Sequence, residues 1–409
     1  MNPFCLRMIL LFALIFCWCR PAGCQGIVTG EVIDSISGKP VEGASIYFNG
    51  LQSGTTTSVK GFFTIEVPVQ PQLLIISATG YQTVSLRTNE IPGNDHRLLI
   101  KMAARNNDLD MVTVHALTYK VVNSRSWRKK FTDYFIGSGE NAADCSILNF
   151  EDIILKVAAG ENLLKAQAAK TIEIVNNALG YKIYFDMEDC VINFAEKTFV
   201  NVGYARFEDI SNGSHKFKKR RKEVYFGSLP HFLKALYNNT LQANGFEVRH
   251  ATVKENTERA RVKQLMKEKK VRLNIAAEML RIGESPPDSS LYYYRVYIKG
   301  KDKVIQCDSS LLKAEDVFIT DLEVMKELYF EHYLMVTYKH KRINKLRQPL
   351  SLPGLDLNSD FQNALLSLKD NNSVFIFPNG GVSPARVLIT QGYWSSAGAI
   401  QNLLPYDYE

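Results

Sequence analysis

The 409-residue chain predicts two folded regions, an N-terminal all-β sandwich of about seven strands and a larger, mixed α+β, strand-rich domain. Three observations predict this. Between residues 27 and 102, short β-prone segments alternate with Gly, Asp, Ser and Pro turn signals, and no helical period intervenes. Beyond residue 116, apolar periods of two and of 3.6 residues both occur, so strands and helices are mixed. The roughly 385 residues behind the leader are ample for two cores.

Residues 1–24 read as an export signal. Arg7 supplies the positive start, Met8–Trp18 is an apolar run, Arg20 and Pro21 end it, and the small residues Ala22 and Gly23 follow. A spanning helix needs about 20 apolar residues, so a cleaved signal is expected, and with it a mature chain in the periplasm or at the outer membrane or cell surface. Cleavage after Cys24 leaves Gln25 first. Cys24 also admits a lipoprotein reading, but Pro21 stands where that signal wants a large aliphatic residue. No later run is apolar enough to predict a transmembrane helix.

The sandwich occupies residues 25–103 and is read as antiparallel. Its strands are expected at Ile27–Ile33, Ala44–Phe48, Gly54–Thr57, Phe62–Val67, Leu73–Ala78, Tyr81–Arg87 and Arg97–Met102. Asp34 to Pro40 makes the first turn: Asp34 can accept from nearby backbone N–H groups, and Gly38 permits positive φ. Asn49-Gly50 and Lys60-Gly61 are further turns. Phe63, Ile65 and Val67 share one face by the strand period and are placed in the core. Tyr81 follows the Gly80 turn and is placed at the sandwich edge.

Residues 104–115 form a polar hinge with a short strand, and 116–409 the α+β domain. Ser126–Ile136 reads as a helix with an aromatic face of Trp127, Phe131, Tyr134 and Phe135. Strands are expected at Lys170–Val175, Tyr181–Met187, Val191–Phe194 and Thr198–Tyr204. Leu229–Gln242 has the helix period, with Gly245 as its C-terminal cap. Lys254–Lys270 is a charged helix with Glu–Arg and Glu–Lys spacings. Strands recur at Arg272–Met279, Tyr292–Lys299, Lys303–Cys307, Leu328–Lys339, Ser373–Phe377 and Arg386–Gln391, and Ser396–Leu403 is a last helix.

Composition narrows the function. The formal net charge is +7, and loss of Arg7 and Arg20 with the leader leaves about +5, too mild to point to nucleic acid. Cys145, Cys190 and Cys307 remain outside the leader; they form no disulfide framework and no metal-type C-x-x-C. No H-E-x-x-H, G-x-S-x-G or phosphate-loop motif is present, so no catalytic residue, metal ligand or cofactor is assigned. Glu331-His332 is adjacent inside an expected strand, where neighbours point to opposite faces. Asn379-Gly380-Gly381 is a turn.

Three features could bind. Lys216, Lys218, Lys219, Arg220, Arg221 and Lys222 put six positive residues in a stretch of seven. This run could dock anionic lipid, acidic polysaccharide or an acidic partner, or be a solvated loop. His231, in the first turn of the helix that Ser228 caps, either holds a strand–helix junction or serves a ligand or proton. With Ser228 and Glu223 it marks the place where a hydrolase would be sought. Tyr293, in the run Tyr292-Tyr293-Tyr294, is a sugar-stacking candidate, although one face of that strand should be core.

Two residue sets carry a family likeness. Gly30-x-Val32-x-Asp34, Gly38-x-Pro40-x-x-Gly43-Ala44, Gly54-Thr55-Thr56 with Gly61-x-Phe63-x-Ile65, and Gly80-Tyr81 resemble the carboxypeptidase regulatory-like domain. That resemblance implies a transthyretin-like sandwich. Thr57-Ser58 departs from it, since many members place an acidic residue in that turn. The second set is Phe135-Ile-Gly-x-x-x-Asn141-Ala-x-x-Cys145-x-Ile-x-Asn149, Ile174-x-Asn176-x-Ala-Leu-Gly-Tyr181, Tyr225-x-Gly-Ser228-x-x-His231-Phe-Leu233, and Gly392-Tyr-Trp394 with Leu403-Leu-Pro-Tyr-Asp-Tyr408. It resembles the C-terminal region of Bacteroidetes carboxypeptidase-like regulatory domain-containing proteins. The likeness implies an envelope protein and no peptidase activity. The expected role is therefore non-enzymatic binding or scaffolding of glycan or another envelope protein. The alternatives are a hydrolase of unrecognised type in the C-terminal domain and an accessory factor of an outer-membrane system.

Overall fold

A computed structural model of the chain describes residues 26–105 apart from 71, 89–90 and 92–96, residues 118–268 apart from 161 and 196–197, residues 280, 281, 283 and 288–300, residues 302–342 apart from 323, and residues 360–408. The leader, nearly all of the 104–115 hinge and the expected strand Arg272–Met279 lie outside the described residues. The chain divides into two compact units. One holds residues up to Phe48 and Ser53–Arg105; the other holds Asn49–Gln52 and Asn106–Glu409.

The first unit is strand-rich. Its strands are β1 (Ile27–Asp34), β2 (Ser45–Phe48), β3 (Gly54–Thr56), β4 (Phe62–Glu66), β5 (Leu73–Ser77), β6 (Val84–Arg87) and β7 (Leu98–Met102). They form a three-stranded sheet in the order β4-β1-β7 and a four-stranded sheet in the order β3-β2-β5-β6. Strand alternation supplies the core: Val28 and Val32 of β1, Phe63 and Ile65 of β4, and Ile100 and Met102 of β7 are buried, as are Ile46, Phe48, Leu74 and Ile76 of the other sheet. Val67, expected in the core, is half-buried at the end of its strand.

The sheet is not wholly antiparallel, because β1 and β7 run parallel. Parallel neighbours need a crossover, and these two strands are the first and last of the unit. In the first turn, Asp34 Oδ1 accepts from the N–H of Ile36 (3.0 Å), the N–H of Ser37 (2.6 Å) and the Ser37 hydroxyl (2.8 Å), and Gly38 takes φ +67°. Thr57, the departure from the family pattern, is buried. Its Oγ1 donates to the Val41 carbonyl (2.7 Å) and accepts from the Ala44 N–H (2.8 Å), so it stitches two segments together.

The second unit begins with β8 (Tyr119–Val122), helix α1 (Arg125–Phe135), β9 (Cys145–Ile147), β10 (Ile153–Ala158), β11 (Leu163–Ala168), β12 (Ile172–Asn176), β13 (Tyr181–Asn193) and β14 (Thr198–Asp209). These strands make one seven-stranded sheet. The two strands expected at Tyr181–Met187 and Val191–Phe194 are a single strand, β13. Its first half pairs with β12, its second half with β11, and β14 follows it on the other side. A register shift between Met187 and Asp189 changes the phase: Tyr181, Ile183, Phe185 and Met187 are buried before it, Cys190 and Ile192 after it. One extra residue thus keeps the inner face apolar along thirteen residues. The aromatic face of α1 closes this core through Trp127, Phe131 and Phe135.

The rest of the unit contains α2 (His215–Tyr225), α3 (Leu229–Tyr237), β15 (Phe246–Glu255), α4 (Thr257–Lys267), α5 (Asp288–Tyr294), β16 (Lys303–Cys307), β17 (Phe318–Leu322), β18 (Met325–Leu328), β19 (Tyr333–Arg342), β20 (Phe361–Leu368), β21 (Val374–Ile376), β22 (Val382–Ser383), β23 (Leu388–Gly392) and α6 (Tyr393–Ala397). They build a five-stranded sheet, β16-β15-β19-β20-β23, and a four-stranded one, β17-β18-β21-β22. Phe232, Leu233 and Leu236 of α3 share a core with Phe246, Leu334, Val336, Leu366, Ile376 and Trp394.

Several expected elements change here. The helix from Leu229 ends at Tyr237, and Asn239 turns left-handed at φ +55°; Gly245 leads into β15 instead of capping the helix. Lys254 and Glu255 end β15, and the charged helix starts after Asn256, whose Oδ1 accepts the Arg259 N–H (3.0 Å). Leu328–Lys339 is two strands, β18 and β19. Glu331-His332 lies in the turn between them, with His332 at φ +58°, and not within a strand. Ser396–Leu403 is split between the end of α6 and a 3-10 turn at Ile400–Asn402. Cys145, Cys190 and Cys307 are free thiols.

Candidate functional site

The basic run is helical and forms most of α2, where a solvated loop was the plain expectation. Seen down a helix of 3.6 residues per turn, the run has two sides. Phe217, Arg221, Val224 and Tyr225 share one arc and are buried or half-buried. His215, Lys216, Lys218, Lys219, Lys222 and Glu223 occupy the other and are exposed.

Arg221 does not lie on the exposed side of the helix. It is 6 % exposed. Its Nε donates to the Leu179 carbonyl (2.7 Å) and Nη2 to the Gly180 carbonyl (3.0 Å). Nη1 and Nη2 also donate to the two Asp209 carboxylate oxygens, at 2.9 and 3.0 Å. The guanidinium stacks 3.7 Å from the centre of the Tyr181 ring. Such a planar fork matches a carboxylate and an aromatic face as no lysine can. Arg221 holds the Asp209 carboxyl down at about 2, against a burial that would raise it. Arg220 is the second tie: half-buried, it donates from Nε to Asn141 Oδ1 (2.7 Å). The run therefore divides into two anchors, Arg220 and Arg221, and four outward cations, Lys216, Lys218, Lys219 and Lys222. No ion pair joins any of these four to a carboxylate among the described residues.

Charge placement and capping do not favour α2, although Lys and Arg are good helix formers. Its first turn has no acidic residue, and Ser214 makes no side-chain cap bond. Lys216 and Lys218 sit near the positive end of the helix dipole. Lys216 with Lys219, Lys218 with Lys222, and Lys219 with Lys222 are like charges at spacings of three or four, each pair costing about 0.2–0.5 kcal/mol in water. The anchoring contacts of Phe217, Arg220 and Arg221 offset that cost.

His231 is buried. The Gly227 N–H donates to its Nδ1 (3.1 Å), so the ring proton is on Nε2, which donates to Asn244 Oδ1 (3.2 Å). Asn244 is oriented by its own donations to the Thr240 carbonyl and hydroxyl. The rings of Tyr225, Phe226, Phe246 and Tyr338 surround the imidazole at 4.9–5.9 Å. Desolvation lowers its pKa below the ordinary value. Both nitrogens are thus committed to holding the α2–α3 junction, which is helix to helix and not strand to helix. Ser228 caps α3 by accepting the His231 backbone N–H (3.3 Å) and does not meet the imidazole. Between the helices, Gly227 adopts φ +81°, and its carbonyl accepts from the Trp394 indole N–H (2.8 Å). A Cβ there would stand 2.6 Å from Tyr338 and from Gln362.

Tyr293 is also relocated. The Tyr292-Tyr293-Tyr294 run is the end of helix α5, continued by a π-helical turn over Arg295–Lys299, not a strand. The Tyr292 hydroxyl donates to Glu258 Oε1 (2.6 Å), which Arg261 also holds, and the Arg259 guanidinium donates to the Tyr297 carbonyl. Contacts with α4 override the strand preference of consecutive tyrosines. Tyr293 is half-buried and packs edge-on against Tyr292, which is the more exposed ring.

One exposed basic cluster is not singled out by the sequence. Lys339, His340, Lys341 and Arg342 end β19 and are exposed. Lys341 Nζ donates to the Glu223 carbonyl at the end of α2 (3.3 Å). The run KHKR was visible, but its place beside the α2 lysines, more than a hundred residues away, was not.

The second set of likeness residues mostly clamps backbone. Asn176 Oδ1 accepts from the N–H groups of Ala178 and Leu179, and its Nδ2 donates to the Gln401 carbonyl. Asn149 bridges the Thr171 carbonyl and the Glu173 N–H, and Asn141 joins Arg220 to Asn402. These are structural roles.

The strand-rich first unit, with its Asp34 turn, agrees with a family match over nearly the same residues. Residues 28–114 are a CarboxypepD_reg-like domain. The CarboxypepD_reg-like domain is a regulatory, non-catalytic module, and the match stops before α1. No curated protein matches the chain. Among solved structures, a candidate carbohydrate-binding protein from Bacteroides uniformis ATCC 8492 aligns over 46 % of this chain and 98 % of its own, at 9 % identity and a TM-score of 0.17. A candidate membrane-associated protein of unknown function from Bacteroides fragilis NCTC 9343 aligns over 90 % and 93 %, at 9 % identity and a TM-score of 0.16. At these scores the likeness carries no argument. Among the described residues, no helix is long and apolar enough to cross a membrane.

Proposed function

We propose that this chain is a non-enzymatic protein of the cell envelope that binds an anionic envelope component, glycan or protein, through the exposed ridge of α2. The CarboxypepD_reg-like domain serves as a rigid module, and the unit that contains α2 does the binding. The carrying observation is the division of labour within the basic run. Arg221 is buried to fix the helix, while Lys216, Lys218, Lys219 and Lys222 are held outward at the helix's own cost. Locally unfavourable choices of this kind concentrate at functional sites. The export signal read in Arg7 and Met8–Trp18 supports the address. The hydrolase alternative rested on His231, whose ring nitrogens are both engaged in the α2–α3 junction.

The test is fractionation of cells that carry Lys216→Glu, Lys218→Glu, Lys219→Glu and Lys222→Glu together. The reading expects the variant to leave the envelope fraction for the soluble one, and wild-type association to weaken with salt. An unchanged distribution and salt response would sink it. Recovery of a stoichiometric outer-membrane complex with wild type but not with the variant would favour the accessory-factor form of the same reading.

A further inference from the structure

We infer that the ligand site is a composite of two elements, the α2 ridge and the exposed end of β19, and that its ligand is an anionic polysaccharide chain. The inference rests on the reading above and extends it to Lys341 and Arg342 and to a ligand class.

The two elements meet at one contact, the donation from Lys341 Nζ to the Glu223 carbonyl in the last turn of α2. This places a lysine ammonium at the negative end of the helix dipole, a favourable position. It also sets the exposed Lys341 at the end of α2 that carries Lys222, with the exposed Arg342 following Lys341 in the chain. Lys216 to Lys222 covers about 9 Å of helix at 1.5 Å per residue, and Lys341 adds a cation at the C-terminal end of that helix. Lys339 is not counted, because it pairs with Glu247 at 3.4 Å. Glu223 is the one carboxylate on the outer arc of α2.

The shape and chemistry of this surface favour a hydrated polymer. The four lysines spread over roughly 160° of the helix circumference, at 100° per residue, so they present a convex ridge. A flexible chain with repeated charges can follow a ridge. A membrane-surface helix would instead turn a continuous apolar face outward. Here Phe217, Val224 and Tyr225 turn inward, and Phe226, beyond the helix, is the exposed aromatic at that end. A protein partner would need a lysine-poor, apolar centre in the interface, which a face of lysines does not offer.

The test uses the purified full chain, with polygalacturonate as the anionic polysaccharide, neutral dextran as control, and vesicles of phosphatidylglycerol with phosphatidylcholine as the membrane arm. Binding is measured across a salt series, because the slope of log K against log salt counts the polyanion charges engaged, at about 0.7–0.9 per charge. The wild type should bind polygalacturonate and not dextran. Lys341→Gln with Arg342→Gln should bind at least tenfold more weakly at low salt, with a slope lower by about 1–2 and a thermal midpoint lowered by no more than a few degrees. Unchanged affinity and slope in this variant, with loss in the α2 charge-reversal variant, would overturn the composite site and leave the α2 reading standing. Indifference of both variants would overturn both. Tighter binding to the vesicles, or to an acidic envelope protein, than to polygalacturonate would overturn the ligand class.

Discussion

Arg221 and Asp209 are joined by two parallel hydrogen bonds of 2.9 and 3.0 Å, and the same guanidinium also donates to the carbonyls of Leu179 and Gly180. This one side chain ties α2 to the end of β14 and to the β12–β13 turn. Arg221→Ala would leave the Leu179 carbonyl without its donor, take one of two donors from the Gly180 carbonyl, which keeps the Ile210 N–H (3.0 Å), and remove a partly buried ion pair. Because Asp209 is about a third exposed, solvent screens part of the loss, and we expect about 3 kcal/mol of destabilisation. Arg221→Lys should recover only a minor share, since an ammonium cannot reproduce the fork. Denaturant unfolding of the three proteins checks both statements.

Asp209 carries a pH signature. Its carboxyl is held at about 2 in the folded chain, against about 3.9 for a free aspartate. The stabilisation from this pairing is full above about pH 4 and is lost as pH falls toward 2. Acid unfolding should therefore show a flatter fall between pH 4 and 2 in Asp209→Asn than in wild type, from a lower starting stability. Parallel curves would contradict the pairing.

His231 responds in the next window up. Its folded pKa lies below the ordinary value of about 6.5 because burial disfavours the charged ring. The unfolded chain takes up the proton first, so stability is full above pH 6.5 and declines as pH drops below it. The thermal midpoint should fall between pH 7.5 and 5.5 in wild type and fall less in His231→Gln. A midpoint that rises on acidification would mean the imidazole is charged in place.

The four outward lysines should cost stability. Replacing Lys216, Lys218, Lys219 and Lys222 by Gln removes the like-charge pairs and the adverse dipole contacts, and should stabilise the unliganded protein by about 1 kcal/mol at low salt. The gain should vanish at high ionic strength. Thermal unfolding of the Gln variant in low and high salt measures it; a variant less stable than wild type at low salt would show that these lysines hold the fold instead.

Much of the framework was legible because local patterns coincided with it. The alternation at Phe63 and Ile65 and the aromatic stripe of Trp127, Phe131 and Phe135 each match a buried face. What escaped depended on long-range partners. The segments that form β10 and β11 are rich in Ala, Leu and Lys, which suit a helix as well as a strand. The tyrosines at 292–294 prefer strands by themselves but are drawn into a helix by Glu258 and its neighbours. The basic run was plain, yet nothing local told Arg221 from Lys222: one meets Asp209 and two distant carbonyls, and the other meets solvent. Lys341 and Arg342 could join the site only once β19 was folded against α2.

Lysine acetylation footprinting tests whether α2 presents its lysines to an anionic ligand. The protein is treated with a limiting acetylating reagent with and without polygalacturonate, and each lysine is followed by mass spectrometry. Lys216, Lys218, Lys219 and Lys222 should be protected, with Lys129 and Lys313, whose side chains are 73 % and 70 % exposed, acetylated equally in both samples. Uniform protection of all exposed lysines, or none at the four in α2, would contradict it.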